Sequence, residues 1–298
     1  MGQQKSPAED NTTTTNHPDA EILEQGDIYF FYRPKKGAEQ VKGVEDVRRF
    51  FMITAPEKRS GGEGEGEEGK NSNNKSGLYR LFVIGKKSLP EVRKTEARAS
   101  ERFWARVGGI FRDANELTKE LLSDEFRRGD VARPVGEGKY AIVKHHQNHA
   151  ELAYILEMPK EPGEAQKELG IEKEASYIVS VINPKKPISS SSSSVVDSGG
   201  GGYPSSTEEI PMYPEELLNE FGDNDTFIPL SKDIRFLDYQ NAQVILTGAR
   251  EGRDVIKNDL GIEIIEEEES EQSSDIFNKL KVRKDQVPIR PLTEGKLE

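Results

Sequence analysis

Histidines are the residues of this sequence with the clearest potential for metal chemistry. His145, His146 and His149 lie close together, around Gln147-Asn148. Neutral imidazoles bind transition metals, and a two-residue hairpin loop would place His146 opposite His149. His145 would then point to the other face, so only two ligands converge, whereas a catalytic zinc site typically has three protein ligands. Solvated turn histidines are the favoured interpretation, with a metal site at His146 and His149 as the alternative.

A second candidate is a binding surface of aromatic and cationic side chains. Tyr29 and Arg33 share one face of a predicted aromatic strand, and such residues can stack on nucleic-acid bases. Arg98, Arg102 and Arg106 recur every four residues and would form a cationic stripe along a predicted helix. Core packing is the simpler interpretation of the aromatic strand, and the net charge of −12 argues against binding to nucleic-acid phosphates.

The residues and motifs that several other common chemistries require are absent from the sequence. The sequence contains no cysteine, which excludes disulfides, thiolate zinc sites and cysteine nucleophiles. It also contains no nucleophile-elbow motif, no P-loop and no dinucleotide-binding glycine pattern. The sequence therefore predicts no catalytic residue and no cofactor.

Strands dominate the elements that would position these residues. The central hairpin is predicted from runs 138–146 and 149–159, with Lys144 opposite Glu151, because opposite charges across an antiparallel pair are favourable. Hydrophobic spacing predicts a helix from Ser100 to Phe111 that buries Trp104. The further predicted strands cover 27–34, 47–56, 78–84, 175–184, 226–230 and 242–247, and further helices cover 161–170, a segment from Asn115, 213–221, 254–260 and 276–282.

Composition divides the chain into ordered and low-complexity parts. Residues 1–20 have the composition of a disordered tail, and the Gly/Glu-rich 58–76 and Ser/Gly-rich 189–206 that of disordered inserts. One domain is predicted over 21–265, with possible subdomains 21–130 and 131–265. Residues 266–298 are predicted to be an acidic segment followed by a polar tail.

The predicted fold class is α+β. Antiparallel sheet would carry helices packed on one side, because the strands are apolar on both faces and need cover. Each subdomain contains a strand–strand–insertion–strand unit, and duplicated β-meander units are one interpretation of this repetition.

The sequence carries no sign of membrane insertion or secretion. Its mean hydropathy is −0.75, and no run approaches the roughly 18 apolar residues of a membrane helix. The first twenty residues lack the apolar core of a signal peptide. A cytoplasmic or nuclear location is therefore expected.

Several motifs together resemble a known family. They are GDIYFFYRP, ERFW, RPVGEGKYAIVKH, HAELAYILEMP, SYIVSVINP and FLDYQNAQVILTGA. Between residues 21 and 249 the chain resembles uncharacterised proteins of fungi and some prokaryotes, whose fungal members are sometimes labelled "BTB domain transcription factor". A BTB domain is mostly helical, whereas the clearest segments here are strands, so the sequence does not support that label. The resemblance implies a shared fold and no particular activity.

Two functions are compatible with this sequence. The first is a non-enzymatic intracellular interaction or regulatory module with an unknown protein partner, favoured because no catalytic, metal or phosphate-binding set is recognisable. The second is a small-molecule-binding or hydrolytic enzyme with a pocket between sheet and helices.

Overall fold

The protein is described by a computed structural model that covers residues 20–38, 40–59, 78–92, 101–123, 131–144, 149–186, 210–252, 264, 266 and 270–298. All its long strands are antiparallel. They are β1 Glu21–Pro34, β2 Val47–Arg59, β3 Tyr79–Ile84, β4 Arg102–Phe111, β5 Arg133–Lys144, β6 Ala150–Met158, β7 Glu174–Ile182, the short β8 Phe227–Pro229, and β9 Gln243–Glu251. The helices are short: α1 Ala114–Leu122, α2 Glu164–Glu168, α3 Glu215–Leu218, α4 Asp275–Asn278 and α5 Arg290–Thr293, with 3-10 turns at Val44–Asp46, Leu230–Lys232 and Ile234–Asp238.

Eight of the strands close into a barrel. Around its wall the order is β1, β2, β3, β4, β9, β7, β6, β5 and back to β1, because β6 pairs with both β5 and β7. The wall thus consists of two four-stranded meanders, β1 to β4 and β5–β6–β7–β9. The first strands of the two meanders, β1 and β5, pair with each other, and so do the last strands, β4 and β9. β8 lies outside this ring and pairs with the last residues of β7.

The predicted α+β architecture with helices on one side is wrong. Strands that are apolar on both faces do need cover on both faces, but closure provides it on the inside, where the sheet packs against itself. The main core cluster draws inward side chains from both halves of the chain, for example Phe30 and Phe50 with Tyr154 and Tyr177. The predicted subdomains 21–130 and 131–265 therefore share one core.

The predicted helix from Ser100 to Phe111 is wrong in its described part, because residues 102–111 are strand β4. A four-residue step repeats on one side of a helix and also on one face of a strand, so the arginine spacing did not distinguish the two. In β4, Phe103 and Val107 are buried and Arg102 is exposed. Trp104 is only partly buried, against Gly85.

The central hairpin is real, but its predicted register is off by one residue. Val143 lies opposite Glu151, and Lys144 lies opposite Ala150. A one-residue shift exchanges the faces of a strand. Consequently Glu151 is not paired with Lys144 and instead lies on the outside of the barrel wall.

The outer face of β1, β2 and β3 is covered by the C-terminal segment, residues 270–298. Ile276, Leu280 and Leu292 of this segment are fully buried against Tyr29, Phe31, Phe51 and Leu81. Its first helix is anchored at its start, where the backbone N–H of Ile276 donates to the buried Glu137 carboxylate at 2.9 Å. The predicted polar tail is thus an integral layer of the fold from residue 270 onward.

Four other predicted segments lie largely outside the described residues. This applies to the tail 1–20 except Ala20, to the insert 58–76 beyond the end of β2, to the insert 189–206, and to the helix at 254–260.

Candidate docking surface

One end of the barrel is closed by a cap, residues 210–242. Its aromatic side chains pack on one another, with ring centroids 5.1 Å apart for Tyr213 and Phe236 and 5.3 Å apart for Tyr213 and Tyr239. Leu217 and Leu237 join the core cluster of the barrel interior. Backbone hydrogen bonds from Val107 N–H to Ala242 and from Asn241 N–H to Val107, both 2.8 Å, attach the end of the cap to β4.

A buried ion network fixes the cap to the barrel interior. Arg80 on β3 is fully buried and donates two hydrogen bonds to Glu24, at 2.6 and 2.8 Å. Its Nε donates to Oδ1 of Asp238 in the cap at 2.9 Å, and the Tyr140 hydroxyl donates to Glu24 at 2.6 Å. The guanidinium of Arg80 therefore has a carboxylate acceptor on both sides, and one of these carboxylates, Asp238, belongs to the cap.

The electrostatics of this network follow from its burial. Burial alone would lower the pKa of Arg80, but the adjacent Glu24 carboxylate outweighs it and holds that pKa above its ordinary value. For Asp238, burial raises the pKa above its ordinary value although Arg80 opposes the shift. Burial likewise raises the pKa of the Tyr140 hydroxyl, beside Glu24. With every charge paired, the arrangement is suited to holding the cap in place.

The outside of the cap combines exposed apolar and acidic side chains. In the described part of the chain four large hydrophobic side chains are exposed, and three belong to the cap: Met212 at 88%, Ile210 at 64% and Phe227 at 41%. Between residues 210 and 231 there are five acidic residues and no lysine or arginine. These acidic residues, all exposed, are Glu215, Glu216, Glu220, Asp223 and Asp225. We call these three hydrophobic and five acidic residues the cap surface.

The end of β7 brings together two of the three hydrophobic residues of the cap surface. Phe227 lies directly across the β7–β8 ladder from Ile182, and Ile210 lines a small cavity with the same residue. Asn183 donates from Nδ2 to the carbonyl of Asp225 at 2.8 Å. Ile210 and Phe227 therefore flank one strand end.

Some of the acidic groups have local cationic partners. Arg235 lies 2.7 Å from Glu216, and Lys232 lies 4.0 Å from Glu220. The cap as a whole still holds seven acidic residues against two basic ones. The cap therefore carries a net negative charge. Its exposed ion pairs are weak and hold these charges together only loosely.

The cavity beside Ile210 is too small for a ligand. Its volume is about 20 Å³, which is room for about one water molecule. Small-molecule sites are typically several hundred Å³. At this location the surface offers contact area rather than an enclosed pocket.

The predicted aromatic and cationic residues lie apart from the cap surface. Tyr29 is 1% exposed and lies under the C-terminal segment, with its hydroxyl 3.3 Å from Asp27. Arg33 is 8% exposed and donates from Nη2 to the carbonyls of Glu120 and Leu121, at 3.1 and 3.0 Å, at the end of α1. Neither side chain is presented for stacking on a ligand, and Arg33 instead satisfies helix-terminal carbonyls.

The three arginines of the predicted stripe also do not form a common surface in the described structure. Arg98 lies outside the described residues. Arg102 is exposed on β4, and Arg106 donates from Nη1 to the Asn241 side chain at 2.9 Å, which adds a further attachment of the cap.

Of the predicted pair His146 and His149, only His149 lies within the described residues. His149 has Nε2 3.3 Å from the carboxylate of Glu151. Glu151 is fully buried and also accepts from Ser176 at 2.9 Å and from Arg250. Among the described residues, no group of three or more histidine, cysteine or acidic residues could hold a metal ion.

Comparison with known proteins gives no independent lead. No protein-family model, no curated protein and no solved structure matches the chain. The resemblance drawn from the sequence motifs therefore stays a prediction. Within the ranges that the structure describes, no helix has both the length and the apolar character needed to cross a membrane.

Sequence reasoning missed the buried network and the cap surface. A signal for the first was present in the strand LYRLFVI, where Arg80 is the only charge among apolar residues on both faces. Such a cation must find an anion inside the fold. A signal for the second was the run of 22 residues from Ile210 to Ser231, which has five acidic and no basic residues.

Proposed function

We propose that this protein is a non-enzymatic interaction module whose cap surface binds a basic segment of a partner protein. The observation that carries the proposal is the position of Ile210, Met212 and Phe227. These three exposed hydrophobic residues lie in a stretch that has only negative charge. A surface of this composition fits a partner segment that has apolar anchors between lysines or arginines.

The apolar residues would supply most of the affinity. Binding energy in protein interfaces is concentrated in a few apolar or aromatic residues that become desolvated, and surrounding charges contribute orientation and association rate. Met212 is the most exposed of them, and the flexible thioether of methionine adapts to different apolar partners. A cationic partner would be attracted over roughly a Debye length, about 8–10 Å at physiological salt.

The rest of the barrel supports this role as a rigid scaffold. Its interior holds packed aromatic side chains, such as Phe30 stacked with Phe50 at 6.2 Å and in edge contact with Tyr154 at 5.3 Å. Small eight-stranded barrels with interiors filled by side chains present their functional residues on the outside. The packed interior, together with the small cavity at the cap, supports surface recognition over the predicted alternative of an enzyme pocket.

Fluorescence anisotropy with synthetic peptides tests the proposal. The probe peptide alternates lysine or arginine with leucine and phenylalanine, and the reference peptide has glutamate at every cationic position. We expect binding of the basic peptide only, with an affinity that falls as salt is raised. Met212→Ser should weaken it about fivefold or more, which corresponds to about 1 kcal/mol.

The matched control is Ile22→Ser, because Ile22 is the one exposed large hydrophobic residue outside the cap in the described part of the chain. This variant should bind the basic peptide as the unmodified protein does. Equal loss in both variants, or equal binding of both peptides, would count against the cap surface.

A further inference from the structure

Arg133 is a buried arginine with two nitrogens that have no hydrogen-bond partner among the residues that the structure describes. The residue is 8% exposed, and its Nε and Nη1 are enclosed without any hydrogen bond. It lies at the start of β5, opposite Tyr32 on β1, with Cζ 5.9 Å from the Tyr32 ring centroid. Two enclosed guanidinium nitrogens without hydrogen-bond acceptors are unfavourable, so an anion bound at Arg133 would stabilise the folded protein.

The geometry of a guanidinium shows how one ligand could compensate. A planar guanidinium has two edges for bidentate contact, and both include Nη2. Nη2 is not among the enclosed atoms of Arg133 that lack a partner. An oxyanion bound at Nη2 would lie beside Nε or Nη1, the two nitrogens still to be satisfied, in the paired arrangement typical of arginine with carboxylate or phosphate.

A second residue with an enclosed, unpaired oxygen, Glu298, contacts the same tyrosine through its backbone. The Tyr32 hydroxyl donates to the backbone carbonyl of Glu298 at 3.2 Å, and the Glu298 N–H lies 3.3 Å from it. Oε2 of Glu298 is enclosed without a hydrogen bond, although Oε1 lies 3.9 Å from Arg290. Arg133 thus lies over the Tyr32 ring and Glu298 at its hydroxyl, and the two charges are not joined by an ion pair.

We infer that Arg133 anchors an oxyanion-binding site at the barrel end opposite the cap, for the phosphate or carboxylate group of a small molecule. The site would use the Arg133 guanidinium as its cationic anchor. The backbone of Glu298 is held at the Tyr32 hydroxyl, and the negative charge of its side chain would disfavour an anion bound at Arg133. This inference is independent of the cap surface, since the two lie at opposite ends of the strands.

Thermal unfolding with inorganic phosphate, compared with chloride at matched ionic strength, tests the site. At a hundredfold excess over Kd, phosphate should raise the melting temperature of the full chain by about 5–10 °C. Arg133→Met should lose this rise, and Arg49→Met should keep it, because Arg49 is an exposed arginine on the neighbouring β2. Acetate in a parallel titration distinguishes a carboxylate preference from a phosphate preference.

Two further results separate a ligand site from a structural ion pair. If Arg133 has no partner in the chain, Arg133→Met in chloride should be as stable as the unmodified protein or more so. Glu298→Gln should bind phosphate more tightly, measured by equilibrium dialysis with labelled phosphate. The inference is overturned if no tested oxyanion stabilises the unmodified protein, if Arg133→Met keeps the shift, or if Glu298→Gln destabilises the protein without any phosphate binding.

Discussion

Arg80 is the residue on which the joint between barrel and cap depends. It is enclosed by Glu24 from β1 and Asp238 from the cap, so a single side chain links two parts of the chain that are far apart in sequence. Breaking a buried ion pair from one side costs more than the pair contributes, because the remaining charge stays buried.

Glu24→Gln should therefore destabilise the protein by about 3–5 kcal/mol, measured by urea unfolding. The neutral amide leaves Arg80 with Asp238 as its remaining charged partner and gives the Tyr140 hydroxyl a weaker acceptor. Glu45→Gln is the matched control, since Glu45 is exposed and its replacement should change stability by no more than about 0.5 kcal/mol. Similar small changes in both variants would show that the network contributes little.

Asp238 gives the network a pH dependence. Burial raises its pKa in the folded protein above the ordinary value of 3.8, so the folded state holds this proton more tightly than the unfolded chain does. The stability from this group is complete below 3.8 and is lost as pH rises through the folded-state pKa. Relative to Asp238→Asn, the unmodified protein should lose stability as pH rises from below 3.8 through the folded-state pKa of Asp238. A relative gain over the same range would contradict the assigned shift.

At the scale of elements, the C-terminal segment shows that polarity alone does not identify a tail. Residues 270–298 are mostly polar, yet Ile276, Leu280 and Leu292 are spaced to meet the outer face of the barrel. Salt bridges from Lys279 to Asp27 at 2.8 Å and to Asp275 at 2.7 Å support the contact. The segment therefore contributes to stability although its helices have about one turn each.

Ile276→Ala tests this contribution. Ile276 is fully buried, so truncation should cost about 2–5 kcal/mol in chemical unfolding. Ile22→Ala removes the same atoms from a side chain that is 41% exposed, and its cost should be clearly smaller. If the two variants unfold at the same denaturant concentration, the segment is not part of the cooperative fold.

The strands were the elements that the sequence could predict. Runs such as YFFYR in β1 and SYIVSVI in β7 are dense in aromatic and β-branched residues, which favour extended structure whatever lies on either side. β4 was missed because its arginines and Gly108-Gly109 fit a helix as well as a strand by spacing alone. The hairpin register was missed because it depends on the loop between β5 and β6, and Gln-Asn specifies a two-residue turn only weakly.

For the molecule as a whole, local patterns in the sequence did not reveal how the barrel closes. Closure requires β1 to pair with β5 and β4 to pair with β9, contacts between residues more than a hundred positions apart. Local patterns predict that both strand faces are covered, and they leave open whether helices or the sheet itself provide the cover. The docking surface depends on the same long-range contacts, because Ile210 and Phe227 come together only at the end of β7.

The two ends of this barrel differ in character. The capped end presents negative charge around exposed apolar residues, and the other end holds the buried Arg133. We expect these ends to act independently, so that variants at Met212 leave phosphate binding unchanged and variants at Arg133 leave peptide binding unchanged.

Selection from a random peptide library displayed on phage measures the binding preference of the cap surface, and it imposes no assumption about the partner. The barrel is presented as the full chain, alongside a Met212→Ser, Phe227→Ser double variant and the Ile22→Ser control. We expect the unmodified protein and the control to enrich peptides rich in lysine or arginine with interspersed apolar residues, and the double variant to enrich no such peptides. Enrichment of acidic or uncharged peptides, or the same enrichment with the double variant, would contradict this expectation.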